Sequence, residues 1–272
     1  MLFKSIISAV ALGLLAVSGA QSAPLKPIRV IMIGDSTMTN SSGYGLGFCA
    51  QFTPEVTCVN LSRGGRSSKS YRVEGLWDKA MEQIKTKTAA DGTAWAKTYV
   101  WIEWAHNDGS PKPERHTNIA DEFPLNMRKY GEEIQAAGAV PIFATPLTQR
   151  WFKNGQLQPD LLPWATAIKV VARDKGWEVV DFYAASQKAV QDMGLPAANR
   201  MAGDPIPQNI LDSENSGTSI PAVFSDASQA TTPQHQGFDY THLGKKGSDY
   251  FGKLAVDTWA AQDKDIRPYV KP

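Results

Sequence analysis

Five short runs of β-branched and apolar residues recur along the chain, at 28–33, 57–61, 98–103, 140–144 and 177–182. Each has the length of a strand, and most are too continuous to leave one face in water, so they read as strands covered on both sides. Between them the apolar spacing changes to that of helices. In 126–137, Met127, Tyr130, Ile134 and Ala137 share a face, and Gly138 supplies a terminator. In 160–175 the stripe is Leu161, Trp164, Ile168 and Val171, closed by Gly176, and Tyr250, Phe251, Leu254 and Trp259 mark a last helix. Strands alternating with helices specify the α/β class, a parallel sheet between two helical layers. One stretch resists this pattern: 194–238 is polar, rich in Pro, Gly, Ser, Asn and Gln, and reads as a long loop or insertion.

The first residues read as an address. Lys4 precedes an apolar run over 6–17, followed by the small residues Ser18, Gly19, Ala20, Ser22 and Ala23, the order of a secretory signal peptide. The run is shorter than the roughly 20 apolar residues that cross a bilayer, and no later segment approaches that length, so no membrane span is expected. The expected organisation is a leader over 1–23 and a single domain over 24–272, exported to a periplasm or secreted. Export would place the two cysteines, Cys49 and Cys58, in an oxidising compartment, where a bridge contributes on the order of 2 to 3 kcal/mol; two packed free thiols are the alternative. The 28 basic and 27 acidic residues of the 272 nearly cancel. Such a chain has no long-range field for a polyanion, which argues against a nucleic-acid partner.

In a doubly wound sheet, ligands bind beyond the carboxyl ends of the strands. The polar motifs fall there: Gly34-Asp35-Ser36-Thr37 after the first run, Asn60-Leu61-Ser62-Arg63-Gly64-Gly65-Arg66-Ser67 after the second, His106-Asn107-Asp108-Gly109 after the third, and Asp239-Tyr240-Thr241-His242 before the last helix. Singly, a serine after a strand is most often a helix cap and a Gly-Gly pair a turn. Taken in order, the four resemble the blocks of the SGNH (GDSL-type) hydrolase family, and the forms GDST, GRSS and HNDG resemble its rhamnogalacturonan acetylesterase branch. The resemblance runs from about 28 to 259, with 194–238 largely outside the matched blocks.

The resemblance implies a flavodoxin-like three-layer α/β/α sandwich with a five-stranded parallel sheet, and hydrolysis of carboxylic esters. It implies Ser36 as nucleophile, His242 as base and Asp239 as the group that orients the base. It also implies an oxyanion hole made of the backbone N–H groups of Ser36 and Gly65 and the side-chain amide of Asn107. The residue types suit that chemistry. A serine hydroxyl is inert at neutral pH unless a base removes its proton, histidine titrates near working pH, and glycine lets a backbone N–H approach a substrate closely.

The substrate implied is an acetylated plant cell-wall polysaccharide or oligosaccharide, with rhamnogalacturonan first. A xylan or general short-acyl esterase, and a non-catalytic carbohydrate-binding protein on the same scaffold, are the competing readings. Arg66, beside Gly65, is the cation expected to meet uronate carboxylates. Trp104, Tyr71, Trp77 and Trp151 are the aromatic candidates for the rim of a sugar site. No cofactor is expected, and no metal, since HExxH and CxxC spacings are absent from the sequence. His106 is expected to brace its loop through hydrogen bonds, and Asp35 to hold the turn at Ser36. The family commonly places glycine before HND, where this chain has Ala105, so a narrower wall near Asn107 is expected.

Overall fold

The computed structural model describes residues 24–220 and 238–272. The expected leader and the 221–237 part of the long segment lie outside the described residues. In chain order the elements are β1 (Ile28–Gly34), α1 (Gly45–Cys49), β2 (Val56–Asn60), α2 (Ser70–Val73), α3 (Leu76–Lys85), β3 (Lys97–Glu103), α4 (Glu122–Ala136) and β4 (Val140–Ala144). A small antiparallel hairpin follows, β5 (Phe152–Lys153) and β6 (Gln156–Leu157). Then come α5 (Leu162–Lys175), β7 (Glu178–Val180), α6 (Phe182–Asn199), α7 (Gln208–Ser213) and α8 (Lys245–Gln262).

Five strands form one parallel sheet in the order β2-β1-β3-β4-β7, the flavodoxin-like order. The chain leaves β1 for β2 on one side and returns to β3 on the other, so the loops at the carboxyl ends of β1 and β3 diverge and open a crevice. Alternate strand residues feed two cores. Val30, Met32, Tyr99, Trp101, Ile142 and Ala144 pack with Phe48, Val190, Phe251 and Trp259 of α1, α6 and α8. Ile31, Ile33, Val100, Ile102 and Phe143 pack with Ile84, Tyr130, Ile134, Ile168 and Val171 of α3, α4 and α5. Each large side chain buried this way contributes roughly 1.5 to 3 kcal/mol, which is why the strands carry near-continuous apolar runs.

Two packing details place the site. A Cβ on Gly252 would stand 2.2 Å from the Phe48 nitrogen, so α1 and α8 touch backbone to backbone. Because α8 begins just after His242, this contact carries the His242 turn towards the Ser36 turn, and the Leu243 N–H donates to the Ser42 carbonyl at 2.9 Å. A disulfide joins Cys49, at the end of α1, to Cys58 in β2, with their Cα atoms 5.6 Å apart.

In its secondary structure the fold departs from expectation at the fifth strand and in the long segment. The fifth sheet strand is only Glu178–Val180, because Asp181 caps the next helix by accepting the Ala184 N–H at 3.3 Å. The segment 194–238 is not loop at its start. The α6 chain passes Gly194 at φ 72° and continues through Pro196 to Asn199, and α7 lies further on. Glycine and proline punctuate these helical pieces so closely that no apolar period develops.

Candidate active site

Asp35 ends the turn out of β1 and accepts the Thr37 N–H at 2.9 Å, which caps a single 3-10 turn over Ser36–Met38. This leaves Ser36 at the mouth of the crevice. His242, 206 residues away, brings Nε2 to 2.7 Å from the Ser36 hydroxyl oxygen. Its Nδ1 lies 2.6 Å from Asp239 Oδ2. With the Nδ1 hydrogen donated to Asp239, Nε2 is free to accept from Ser36. The other Asp239 oxygen accepts the N–H groups of Thr241 at 2.8 Å and His242 at 2.9 Å. Burial pushes the Asp239 carboxyl up, but these bonds and the His242 charge outweigh it and hold the group well below the usual carboxylate range. Burial likewise pulls the His242 imidazole down, and the hydrogen bond and charge of Asp239, with the charge of Asp35, raise it above its ordinary value.

The turn that carries both groups is clamped from below. Arg150, fully buried, donates to the carbonyls of Asp239 and His242 at 2.8 Å and of Thr241 at 3.1 Å. Its own N–H donates to the Tyr240 carbonyl at 2.8 Å. Burial pushes this guanidinium down to about 10, still far above neutral pH. Nothing in the sequence marked Arg150, which belongs to no motif and sits in a loop after β4.

Beside the nucleophile lies a second buried cluster. The Thr37 hydroxyl oxygen is 2.8 Å from Asp35 Oδ1 and 2.9 Å from Glu103 Oε1. A hydroxyl donates one hydrogen, so one of the two carboxyls must supply the other. Glu103 is the one. It is fully buried, and burial, then the charge of Asp35, push it up to about 8. The resulting chain runs from the Glu103 hydroxyl to Thr37 and from Thr37 to Asp35, while the Tyr44 hydroxyl donates to the second Glu103 oxygen. The one available sequence signal was an acidic residue closing an otherwise apolar strand.

The second motif folds over Ser36. A Cβ on Gly64 would lie 3.7 Å from the Ser36 Cβ, and Gly65 has φ 74°, a conformation that side chains other than glycine's rarely adopt. Among the described residues no acceptor takes the N–H of Ser36 or of Gly65. Asn107 donates one amide hydrogen to the Arg66 carbonyl at 3.1 Å, which leaves its second hydrogen for another acceptor. Buried Asp108 joins the second and third motifs, taking the Ser68 hydroxyl at 2.6 Å and the Thr117 hydroxyl at 3.0 Å. Burial pushes its carboxyl up to about 7. The arrangement thus sets a hydroxyl against an imidazole and that imidazole against a carboxylate, with the Gly64-Gly65 turn folded over Ser36.

The expected substrate contacts need correction. Trp104 and Tyr71 are 0% and 2% exposed. They pack on each other with centroids 5.2 Å apart, and the Tyr71 hydroxyl donates to the Leu61 carbonyl. Both belong to the core under α4, where their apolar area is worth more than at a wet rim. Trp77 is buried there too, whereas Trp151 is half-buried against Tyr240. Arg66 is not a free cation either: Nε and Nη2 each lie 2.8 Å from Glu74 Oε2, and Nη1 donates to the Gly64 carbonyl at 2.8 Å. It braces its own loop. The His106 ring nitrogens are buried and make no hydrogen bond of full geometry among the described residues; the Leu147 backbone faces the ring, and burial lowers its pKa. Ala105 adopts φ 154° and tucks its methyl against Leu161, Ala165 and Tyr183, a backbone conformation that costs on the order of 1 to 3 kcal/mol outside glycine.

No family model matches the chain. Over 184 residues it is 27% identical to the rhamnogalacturonan acetylesterase RhgT of Bacillus subtilis, covering 65% of this chain and 74% of that one. In structure it is similar to protein YxiM of Bacillus subtilis, with TM-score 0.60 and 20% identity over 88% of this chain; the match spans 58% of that longer protein. It is also similar to a catalytic mutant of Axe2, an acetylxylan esterase from Geobacillus stearothermophilus, with TM-score 0.55 and 13% identity over 86% of this chain and 94% of that one. These two likenesses speak to the fold alone. Four motifs in order, the sheet they rise from and a rhamnogalacturonan acetylesterase as sequence relative mark the chain as a hydrolase of carboxylic esters that resembles the SGNH (GDSL-type) family.

Proposed function

We propose that this protein is an exported carbohydrate esterase that removes O-acetyl groups from a plant cell-wall polysaccharide, rhamnogalacturonan first. The observation that carries the chemistry is the unbroken contact from Asp239 through His242 to Ser36, 2.6 and 2.7 Å long, beside two backbone N–H groups that have no acceptor among the described residues. Ser36 Oγ attacks the acetyl carbon while His242 Nε2 takes its proton. The oxyanion that forms is met by the N–H groups of Ser36 and Gly65 and by Asn107, each worth about a hundredfold to a thousandfold in rate. The sugar oxygen leaves with the proton from His242. Water, deprotonated in turn by His242, then attacks the acetyl-enzyme, and acetate departs as Ser36 regains its hydrogen.

The substrate assignment is supported by the curated relatives, named as a rhamnogalacturonan acetylesterase and a probable one. Export is supported by the leader-like first residues and by the Cys49–Cys58 bridge. Acetate released by the purified protein from acetylated pectin, acetylated xylan and 4-nitrophenyl acetate tests the reading. The highest kcat/KM is expected on pectin. A clear preference for xylan would transfer the assignment to that polymer, and glycan binding without acetate release from any substrate would remove the activity.

A further inference from the structure

Arg115, not Arg66, is the cation beside Gly65 that lacks an acidic partner among the described residues. Its guanidinium flanks Gly65: a Cβ on that glycine would stand 3.3 Å from Nη2 and 3.5 Å from Cζ and Nη1. Arg115 is only half-exposed, yet among the described residues its guanidinium makes neither an ion pair nor a hydrogen bond. Three neighbouring cations are committed. Arg66 holds Glu74, Arg72 holds Glu133, and Lys69 lies against Glu122 and the carbonyls of Pro113 and His116.

The backbone that presents Arg115 is fixed rather than loose. Its N–H donates to the Lys112 carbonyl at 3.0 Å, and the Thr117 N–H donates to the Asp108 carbonyl at 2.9 Å. The Thr117 hydroxyl reaches the buried Asp108 carboxyl, so one side chain ties the Arg115 loop and the Gly65 loop together. An unpaired guanidinium held in this way beside an oxyanion-hole glycine is a preorganised receptor for an anion.

We propose that Arg115 binds a uronate carboxylate of the polysaccharide and selects acidic over neutral acetylated glycans. The proposal rests on the esterase reading above. The flat fork of the guanidinium matches a carboxylate through two parallel hydrogen bonds. A carboxylate seated there would lie beside Gly65, and the rest of the same glycan chain would then be held near Ser36.

The test compares the wild-type protein with Arg115→Ala on acetylated oligogalacturonate, acetylated xylo-oligosaccharide and 4-nitrophenyl acetate. The ratio of kcat/KM for the acidic glycan to that for the small ester is expected to fall at least tenfold in the variant, through KM. Unacetylated oligogalacturonate is expected to inhibit the wild type competitively, with a Ki at least tenfold higher in the variant. An unchanged ratio and Ki in a variant that still cleaves the small ester would overturn the role of Arg115 and leave the esterase reading standing. Wild-type protein that cleaves the small ester but not the acidic glycan would overturn both the role and the polysaccharide assignment. Wild-type protein that cleaves no ester would remove the enzyme itself.

Discussion

Thr37 Oγ1 stands 2.9 Å from Glu103 Oε1, one residue past the serine that His242 touches. Thr37 can give its single hydrogen only to Asp35 or to Glu103, so a proton resides on Glu103 in the folded protein. In the unfolded chain Glu103 titrates near 4.5, and in the fold near 8. Between those values the folded state holds a proton the unfolded state has lost, so stability falls as pH rises, by up to about 1.4 kcal/mol per pH unit. Glu103→Gln removes that group. Urea unfolding at pH 5, 6 and 7 should show a shallower decline in the variant, and parallel curves would contradict the shared proton.

The raised pKa of His242 sets the acid limb of activity. Only the neutral imidazole can accept the Ser36 proton, so kcat/KM should rise with pH through a midpoint above the ordinary 6.5. Asp239→Asn removes the charge and the correct tautomer. The midpoint should move to lower pH and the plateau rate fall by about ten-thousandfold. An acid limb that stays in place would show that Asp239 does not act on His242.

Arg150 is asked to hold three carbonyls of the 239–242 turn. Arg150→Ala leaves these half-buried carbonyls without their donor, at about 1 kcal/mol or more each. Urea unfolding should report a loss of at least about 3 kcal/mol, and kcat should drop as the Asp239–His242 pair loses its support. Stability within about 1 kcal/mol of wild type would remove the clamp.

Gly252→Ala gives a test whose sign is informative. In the middle of a helix the change normally stabilises, by up to about 1 kcal/mol. Here the new methyl would meet the Phe48 nitrogen at 2.2 Å, so α8 must shift away from α1 and the variant should lose roughly 1 to 3 kcal/mol. A stabilised variant would mean that the two helices are not in backbone contact.

The strands and the long helices were legible because burial on both faces leaves continuous apolar runs and one-sided stripes. The residues now grouped around Ser36 were legible because their motifs follow strand ends, where a parallel sheet opens. What supports them was not. Arg150 and Arg115 lie in loops without periodicity, and their roles exist only through carbonyls and a glycine far away in sequence. Trp104 and Tyr71 read as rim aromatics because composition does not tell a core ring from an exposed one, and both are spent on packing under α4. Arg66 read as a free cation, although Glu74 stands eight residues further on and claims it.

The central claim is that Ser36 is the nucleophile, and its most direct measurement is covalent labelling. A fluorophosphonate incubated with the purified protein should add one equivalent, mapped by peptide mass spectrometry to Ser36. The rate of labelling should collapse in His242→Ala. No adduct, or an adduct on another residue with Ser36 unmodified, would contradict the account.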